Sequence, residues 1–341
     1  MKRFFQKFTL LAAVTLMLRF IFSPAMLSPA AAALRRLGAS EDFAAAIFGG
    51  SINSADAAVV SGESAEIMPS PSPVQPLLMQ AESSQAGLFH PHAAEDIASE
   101  PMLKNKTSYV IDTERLLSEP LSYTLQVGAP QVLILHTHGS EAYSQEGGAY
   151  EESDTSRTLD KTQNVVHIGA VLTEELSARG LTVIHDSGLY DHPSYSGSYS
   201  RSLRTVEEYL RKYPTIKVII DLHRDSATDE NGEVYRTEYT APDGSSSAQV
   251  MLIAATGEAG LSFPGWKENM KLALRLQNSM ERFYPGLARP ILVSDQRYNQ
   301  HMAPGYLLLE VGTDGNTLAE AETAVRFFSD CMADVLGEIV E

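Results

Sequence analysis

Cysteine is almost absent from this sequence. Cys331 stands alone among 341 residues, so no disulfide can close within the chain and no cysteine cage can hold a metal. Set in an apolar helical pattern, it reads as a small buried hydrophobe. Positive charge is scarce too. Lys and Arg number 26 against 43 Asp and Glu, a net charge of −17, which argues against nucleic acid because phosphate binding needs clustered cations. The acidic surplus instead suits a soluble domain that stays dispersed near an anionic surface. Two nucleophile and phosphate signatures are also missing. No Gly-x-x-x-x-Gly-Lys-Ser/Thr loop occurs, and neither Gly257-Glu258-Ala259-Gly260 nor Gly244-Ser245 supplies the Gly-x-Ser-x-Gly elbow of a serine hydrolase.

What is present falls into three stretches. Lys2, Arg3 and Lys7 precede an apolar run from Phe8 to Leu18, which Phe20 to Leu27 continues beyond Arg19. A basic region before an apolar one is an export signal. With Arg19 able to snorkel, residues 1–28 read as an uncleaved single-pass signal anchor. The competing reading is a signal cleaved near Ala30–Ala33, and under both the rest of the chain is extracytoplasmic. Residues 29–107 read as a flexible low-complexity linker. From Ser51 to Lys106 they are rich in Ser, Ala, Pro and Glu and lack sustained apolar periodicity. Such a tether gives a membrane-bound domain reach.

Residues 108–341 have a different character. Gln131–Leu135, Thr182–His185, Ile216–Leu222, Val250–Ala254 and Tyr306–Val311 are short apolar runs that predict buried strands. Helical stripes lie between them. Val165, Ile168, Leu172 and Leu176 share a face that ends at Gly180, and Met270, Ala273, Gln277, Met280 and Phe283 share another. A last helix follows the Thr317-x-x-Glu320 capping box. Alternating strands and helices predict an α/β fold with a doubly wound, largely parallel sheet flanked by helices. Its site would lie beyond the carboxyl ends of the strands.

Three of the strands run into polar clusters there: His136-Thr137-His138-Gly139-Ser140-Glu141, His223-Arg224-Asp225-Ser226, and Glu310 followed by Val311-Gly312-Thr313-Asp314. Converging on one crevice, they offer two imidazoles and a carboxylate for zinc with a further carboxylate as base. His138, beside a glycine that permits a tight loop, is the favoured imidazole, with His136 an alternative ligand or a supporting or substrate-contacting group. His223 supplies the other imidazole, Glu141 the carboxylate, and Asp221 an orienting partner for a ring nitrogen. Glu310, among leucines, should have a raised pKa and act as the base. Arg224 is assigned to a substrate carboxylate or the developing oxyanion. His167, His185, His192 and His301 have no partner at a defined spacing, and Tyr190–Tyr199 reads as a solvent-facing loop, with the lining of a groove for a glycan or peptide as the alternative.

Leu133–Tyr143 (LILHTHGSEAY), Ile220–Ser226 (IDLHRDS), Arg297–Gln300 (RYNQ) and Leu308–Ala319 (LLEVGTDGNTLA) together resemble the signature segments of the stage II sporulation protein P family. The resemblance runs in the same order and covers about residues 108 to 341. It implies an N-acetylmuramoyl-L-alanine amidase fold and zinc. It also implies septal peptidoglycan thinning during engulfment of the forespore, through amidase and endopeptidase activity. The partners it implies are stage II sporulation proteins D and M. Related zinc amidases carry their ligand glutamate near the first helix, where this chain has only Asp160 in Asp160-Lys161-Thr162-Gln163-Asn164. Glu141 is the substitute. Two other classes compete: a non-catalytic wall-binding scaffold on the same fold, and a zinc carbohydrate deacetylase, whose Asp-Asp metal motif is not visible.

Overall fold

The computed structural model describes residues 77–79, 100–144, 156–226, 234–241 and 243–341, all within the compact unit Glu63–Glu341. The proposed anchor and most of the proposed linker lie outside the described residues. Among these residues no helix is long and apolar enough to cross a membrane.

Among the described residues ten strands and five helices follow one another: β1 (Leu77–Met79), β2 (Leu103–Asn105), α1 (Thr113–Ser118), β3 (Val132–Leu135), α2 (Val165–Ala178), β4 (Val183–His185), α3 (Ser198–Lys212), β5 (Val218–Asp225), β6 (Tyr239–Thr240), β7 (Ser246–Ser247), β8 (Val250–Ala255), α4 (Trp266–Phe283), β9 (Ile291–Ser294), β10 (Gly305–Thr313) and α5 (Leu318–Gly337). Eight strands form one sheet in the order β1-β4-β3-β5-β10-β8-β9-β2, and β6 pairs with β7. The centre, β4-β3-β5-β10, is parallel. β8 turns antiparallel to β10, while β9 and β2 run parallel to β8. The sheet is therefore mixed and largely parallel.

Apart from the polar residues toward the ends of β4, β5 and β10, the central strands are apolar because both faces are covered. Val132 and Ile134 of β3 point into the main core with residues of α2, α4 and α5, whereas Leu133 and Leu135 point into a second cluster with Ile184, Val206, Ile219 and Tyr306. On that second face α3 covers β3, β4 and β5. Over β8 and β10 only Met251, Ile253 and Leu308 form a small third cluster, with Leu292 and Tyr298 against it. This face carries the smaller cluster.

The capping box at Thr317 and Glu320 is present, with both of its hydrogen bonds. Besides the short α1, β6 and β7, which have no predicted counterpart, three features differ from expectation. α3 occupies a stretch with no predicted element, because it buries only Ser198, Ser202 and Val206, a stripe too narrow to stand out. β9 is a further strand. β1 and β2 come from the stretch assigned to the linker, so the sheet reaches upstream of residue 108. Edge strands of three residues rest mainly on backbone pairing with β4 and β9 and need little apolar periodicity.

Candidate active site

β3 ends at Leu135, and the strand's alternation runs one residue further, to His136. His136, two residues after Ile134, still points toward α2, and the chain then turns so that His138 comes out on the opposite face. The turn needs Gly139: a Cβ there would sit 2.8 Å from Gly188 O. Thr137 pins the turn to β5. Its N–H donates to Asp221 Oδ1 at 2.8 Å and its hydroxyl to Asp221 Oδ2 at 2.6 Å. β5 presents Asp221 and His223 on the second face, and parallel pairing sets Glu310 of β10 beside His223.

The two histidines of His-Thr-His thus have separate surroundings. His136 is fully buried. Its Nδ1–H donates to Leu222 O at 2.9 Å, since a carbonyl can only accept, and its Nε2 lies 2.9 Å from His185 Nε2, which donates to it. Gly169 of α2 packs against the pair so tightly that a Cβ would come within 2.5 Å of the His136 ring. Burial, and then the neighbouring His185, press the His136 pKa down to about 3. This ring has no route to substrate.

His138 stacks on Tyr195 (centroids 4.4 Å apart, 12° between planes) and meets His223 edge-on at 5.3 Å. Its Nδ1 is buried and finds no hydrogen-bond partner among the described residues. Burial lowers its pKa to about 4, against the pull of Glu141. His223 has Nδ1 3.3 Å from Glu141 Oε2, and Nε2 2.9 Å from Asp221 Oδ1. The latter contact is an ion-pair approach outside hydrogen-bonding alignment, so Nε2 too lacks a hydrogen-bond partner among the described residues. Burial works against charging His223, but Asp221 and Glu141 prevail and hold its pKa well above the usual value. Burial raises the Glu141 carboxyl, and His223, His138 and Arg224 more than reverse this, bringing it to about 2. Glu141 Oε1 also accepts from Arg157 Nη2 at 3.2 Å.

Glu310 is half-buried, and its Oε2 is buried with no hydrogen-bond partner among the described residues. Burial lifts its pKa to about 8, with His223 opposing and Glu141 and Asp225 adding to the rise. A carboxyl in that range can both take and return a proton near neutrality.

Zinc fits this donor set in kind. Two ligands about 2.0–2.1 Å from a tetrahedral ion stand about 3.3 Å apart, the separation of Glu141 Oε2 and His223 Nδ1, and His138 adds an unpartnered nitrogen. No group of three His, Cys, Asp or Glu side chains is gathered tightly enough around one point to form a metal cluster among the described residues.

Arg224 differs from its assignment. Its Nε donates to Ala142 O at 2.8 Å, Nη2 to Ser156 O at 2.6 Å and Nη1 to Asp225 O at 3.4 Å. Odd and even residues of β5 face opposite ways, so the guanidinium ties the Glu141 loop to β5 rather than facing the crevice. Of the other neighbours of the site, Arg157 and Asp191 carried no assignment from the sequence, whereas Tyr195 belongs to the Tyr/Ser-rich loop. Arg157 joins Asp191 (2.6 Å), Ser140 and Glu141, and its guanidinium lies 5.0 Å from the centre of the Tyr195 ring. The loop carrying Asp191 and Tyr195 therefore borders the site. His185 ends β4 at the same sheet edge as His136, which is the one hint of that pair. Arg297–Gln300 is structural: the Gln300 side chain bonds Ala255 N and Ile253 O, and Asn299 bonds Tyr199 O.

A mixed, largely parallel α/β sheet with histidines and carboxylates gathered where β3, β5 and β10 end defines the class. Residues 48–333 match the family Stage II sporulation protein P (SpoIIP), and the chain belongs to that family. Stage II sporulation protein P of Bacillus subtilis (strain 168) is 28% identical over 225 residues, which are 61% of this chain and 50% of the relative. The chain thus spans about half the length of the curated relative it matches. Among solved structures it is similar to the CwlD amidase of Clostridioides difficile in complex with the GerS lipoprotein (14% identity, 61% of this chain, 98% of that one, TM-score 0.39). It is also similar to the N-acetylmuramoyl-L-alanine amidase AmiC2 of Nostoc punctiforme (9% identity, 62% and 97%, TM-score 0.36).

Proposed function

We propose that this chain is a zinc-dependent peptidoglycan hydrolase that cleaves the amide between N-acetylmuramic acid and the L-alanine of the stem peptide. Peptide cross-links are a second amide substrate. The observation that carries the reading is the meeting of His138, Glu141, His223 and Glu310 at the ends of three neighbouring strands, with His223 Nδ1 beside Glu141 and with His138 Nδ1 and Glu310 Oε2 buried and unpartnered among the described residues.

His138, Glu141 and His223 would hold the metal. When bound, zinc supplies Lewis acidity, polarising the scissile carbonyl and making a water acidic near neutral pH. Asp221, fixed by two hydrogen bonds from Thr137, orients the His223 ring. Glu310 takes the proton of the attacking water at its carboxylate and returns it to the leaving nitrogen, so that the amine departs neutral. Arg224 and Arg157 keep the Glu141 loop in position.

Family membership supports a place in sporulation: thinning of septal wall as the forespore is engulfed, beside stage II sporulation proteins D and M. Residues 1–28 would anchor the chain in the membrane, with the catalytic domain on its extracytoplasmic side. The test is mass analysis of fragments released from purified peptidoglycan by the full chain. Free stem peptides beginning with L-alanine, lost on chelation and restored by zinc, are the expected result. Wall that is bound but left intact would favour a scaffold, and release unaffected by exhaustive chelation would refute the zinc mechanism.

A further inference from the structure

We infer that Arg289 binds a carboxylate of the peptide part of the substrate at the β8 side of the crevice, with Asp225 positioning its guanidinium. This deepens the hydrolase reading and rests on it. The topology brings Arg289 to the site. β8 and β9 run opposite to β5 and β10, so a residue just ahead of β9 lies at the sheet edge where β5 and β10 end. The backbone there is fixed: Arg289 N–H donates to Val250 O at 2.7 Å, and its carbonyl accepts from Gln277 Nε2 at 3.3 Å.

From this base the side chain reaches toward β5, where Nη2 donates to Asp225 Oδ2 at 2.8 Å. Asp225 lies two residues past His223 on the same strand face, and its charge is felt at Glu310. Its other oxygen accepts from Ser226 N at 2.9 Å, so Asp225 is committed to holding the guanidinium. Nη1 is not committed. It is buried and has no hydrogen-bond partner among the described residues, although the side chain as a whole is 21% exposed. Nearby Asp314 is turned elsewhere, accepting from Ser226 Oγ at 3.1 Å with its Oδ2 3.9 Å from Arg224 Nη1.

A guanidinium is a planar fork of donors matched to a carboxylate. With one arm on Asp225 and the other buried and unpaired at the foot of a partly exposed side chain, Arg289 is a charged donor held ready for an anion on the strand face of the proposed base. Arg224 differs, because each of its three guanidinium nitrogens already donates to a backbone carbonyl. The peptide released by the proposed reaction ends in a carboxylate, so the anion lies on the peptide side of the scissile bond.

The test measures binding separately from turnover. In a Glu310→Gln background, the full chain is titrated by calorimetry with two soluble muramyl peptides, alike except that one has free carboxylates and the other is amidated. The free acid should bind about 10- to 100-fold more tightly, the size of a charged hydrogen bond. Arg289→Gln should erase that preference, while unchanged affinity for the amidated peptide shows that the fold is intact. Arg289→Lys should keep part of it, as the charge stays and the fork goes. Equal binding of the two peptides, a preference that survives Arg289→Gln, or no binding of either peptide overturns the inference. Discrimination without any cleavage by the unmutated chain would refute the hydrolase reading and leave the Arg289 site standing.

Discussion

The pairs His136–His185 and His138–His223 lie on opposite sides of the sheet edge, and two residues of one sequence, His-Thr-His, feed them both. In the first pair each ring satisfies the other, α2 seals them through Gly169, and Leu222 O takes the remaining hydrogen. In the second pair the rings meet edge to face, one flanked by carboxylates, and each has a nitrogen without a hydrogen-bond partner among the described residues. Residue type does not separate the two outcomes. The end of β3 does, because alternation carries His136 to the helix side before the Gly139 turn carries His138 to the crevice. A satisfied buried pair contributes to stability, and an unsatisfied one marks a ligand site.

The contrast breaks most clearly at His223. His223→Ala should abolish hydrolysis and zinc retention together, measured by turnover on soluble muramyl peptide and by metal analysis, since a ligand is lost. Glu310→Gln should keep zinc and wall binding but lower kcat by about 10²–10⁴-fold, because the shape remains and the base is gone. A rate near that of the unmutated chain would move the base elsewhere, with Glu141 the next candidate.

On the sealed side the effects are on stability. His136→Ala should leave zinc in the folded protein while lowering stability by about 1–3 kcal/mol for each polar group left unpaired, here Leu222 O and His185 Nε2, as measured by denaturant unfolding. The pH dependence follows from the same burial. His136 and His185 are pressed down to about 3 and 4 in the folded chain, whereas an unfolded histidine titrates near 6.5. The unfolded chain therefore takes up protons first. The contribution of these two rings is complete above about pH 6.5 and falls as the pH drops toward 4, by about 1.4 kcal/mol per pH unit for each ring. Glu310 sets an opposite slope against it, since its raised pKa makes the folded chain the better proton holder between about 4.5 and 8. His223, raised above its usual value, is charged in both states throughout that window and adds no slope. In the metal-free protein, the decline should be shallower for His136→Ala.

Much of this organisation was legible in the sequence. The five apolar runs became strands because a strand covered on both faces carries no polar alternation. The clusters that follow three of them could be read as one site because parallel neighbours end at one edge. α3 was not legible, since it buries two serines and one valine, and neither was the antiparallel turn at β8, since apolar runs do not encode direction. That second gap hid Arg289: a site sought only at carboxyl ends of strands omits what an opposed strand brings in at its start. The surroundings of Arg224 were hidden for a related reason. Adjacency to His223 along a strand places a side chain on the opposite face, where it binds backbone rather than substrate.

The most direct test is zinc stoichiometry, by metal analysis after dialysis, in the unmutated chain, His138→Ala and His136→Ala. The arrangement predicts about one zinc per chain, lost in His138→Ala and kept in folded His136→Ala. Zinc kept by His138→Ala but lost from His136→Ala, or absent from the unmutated chain after zinc is supplied, would contradict it.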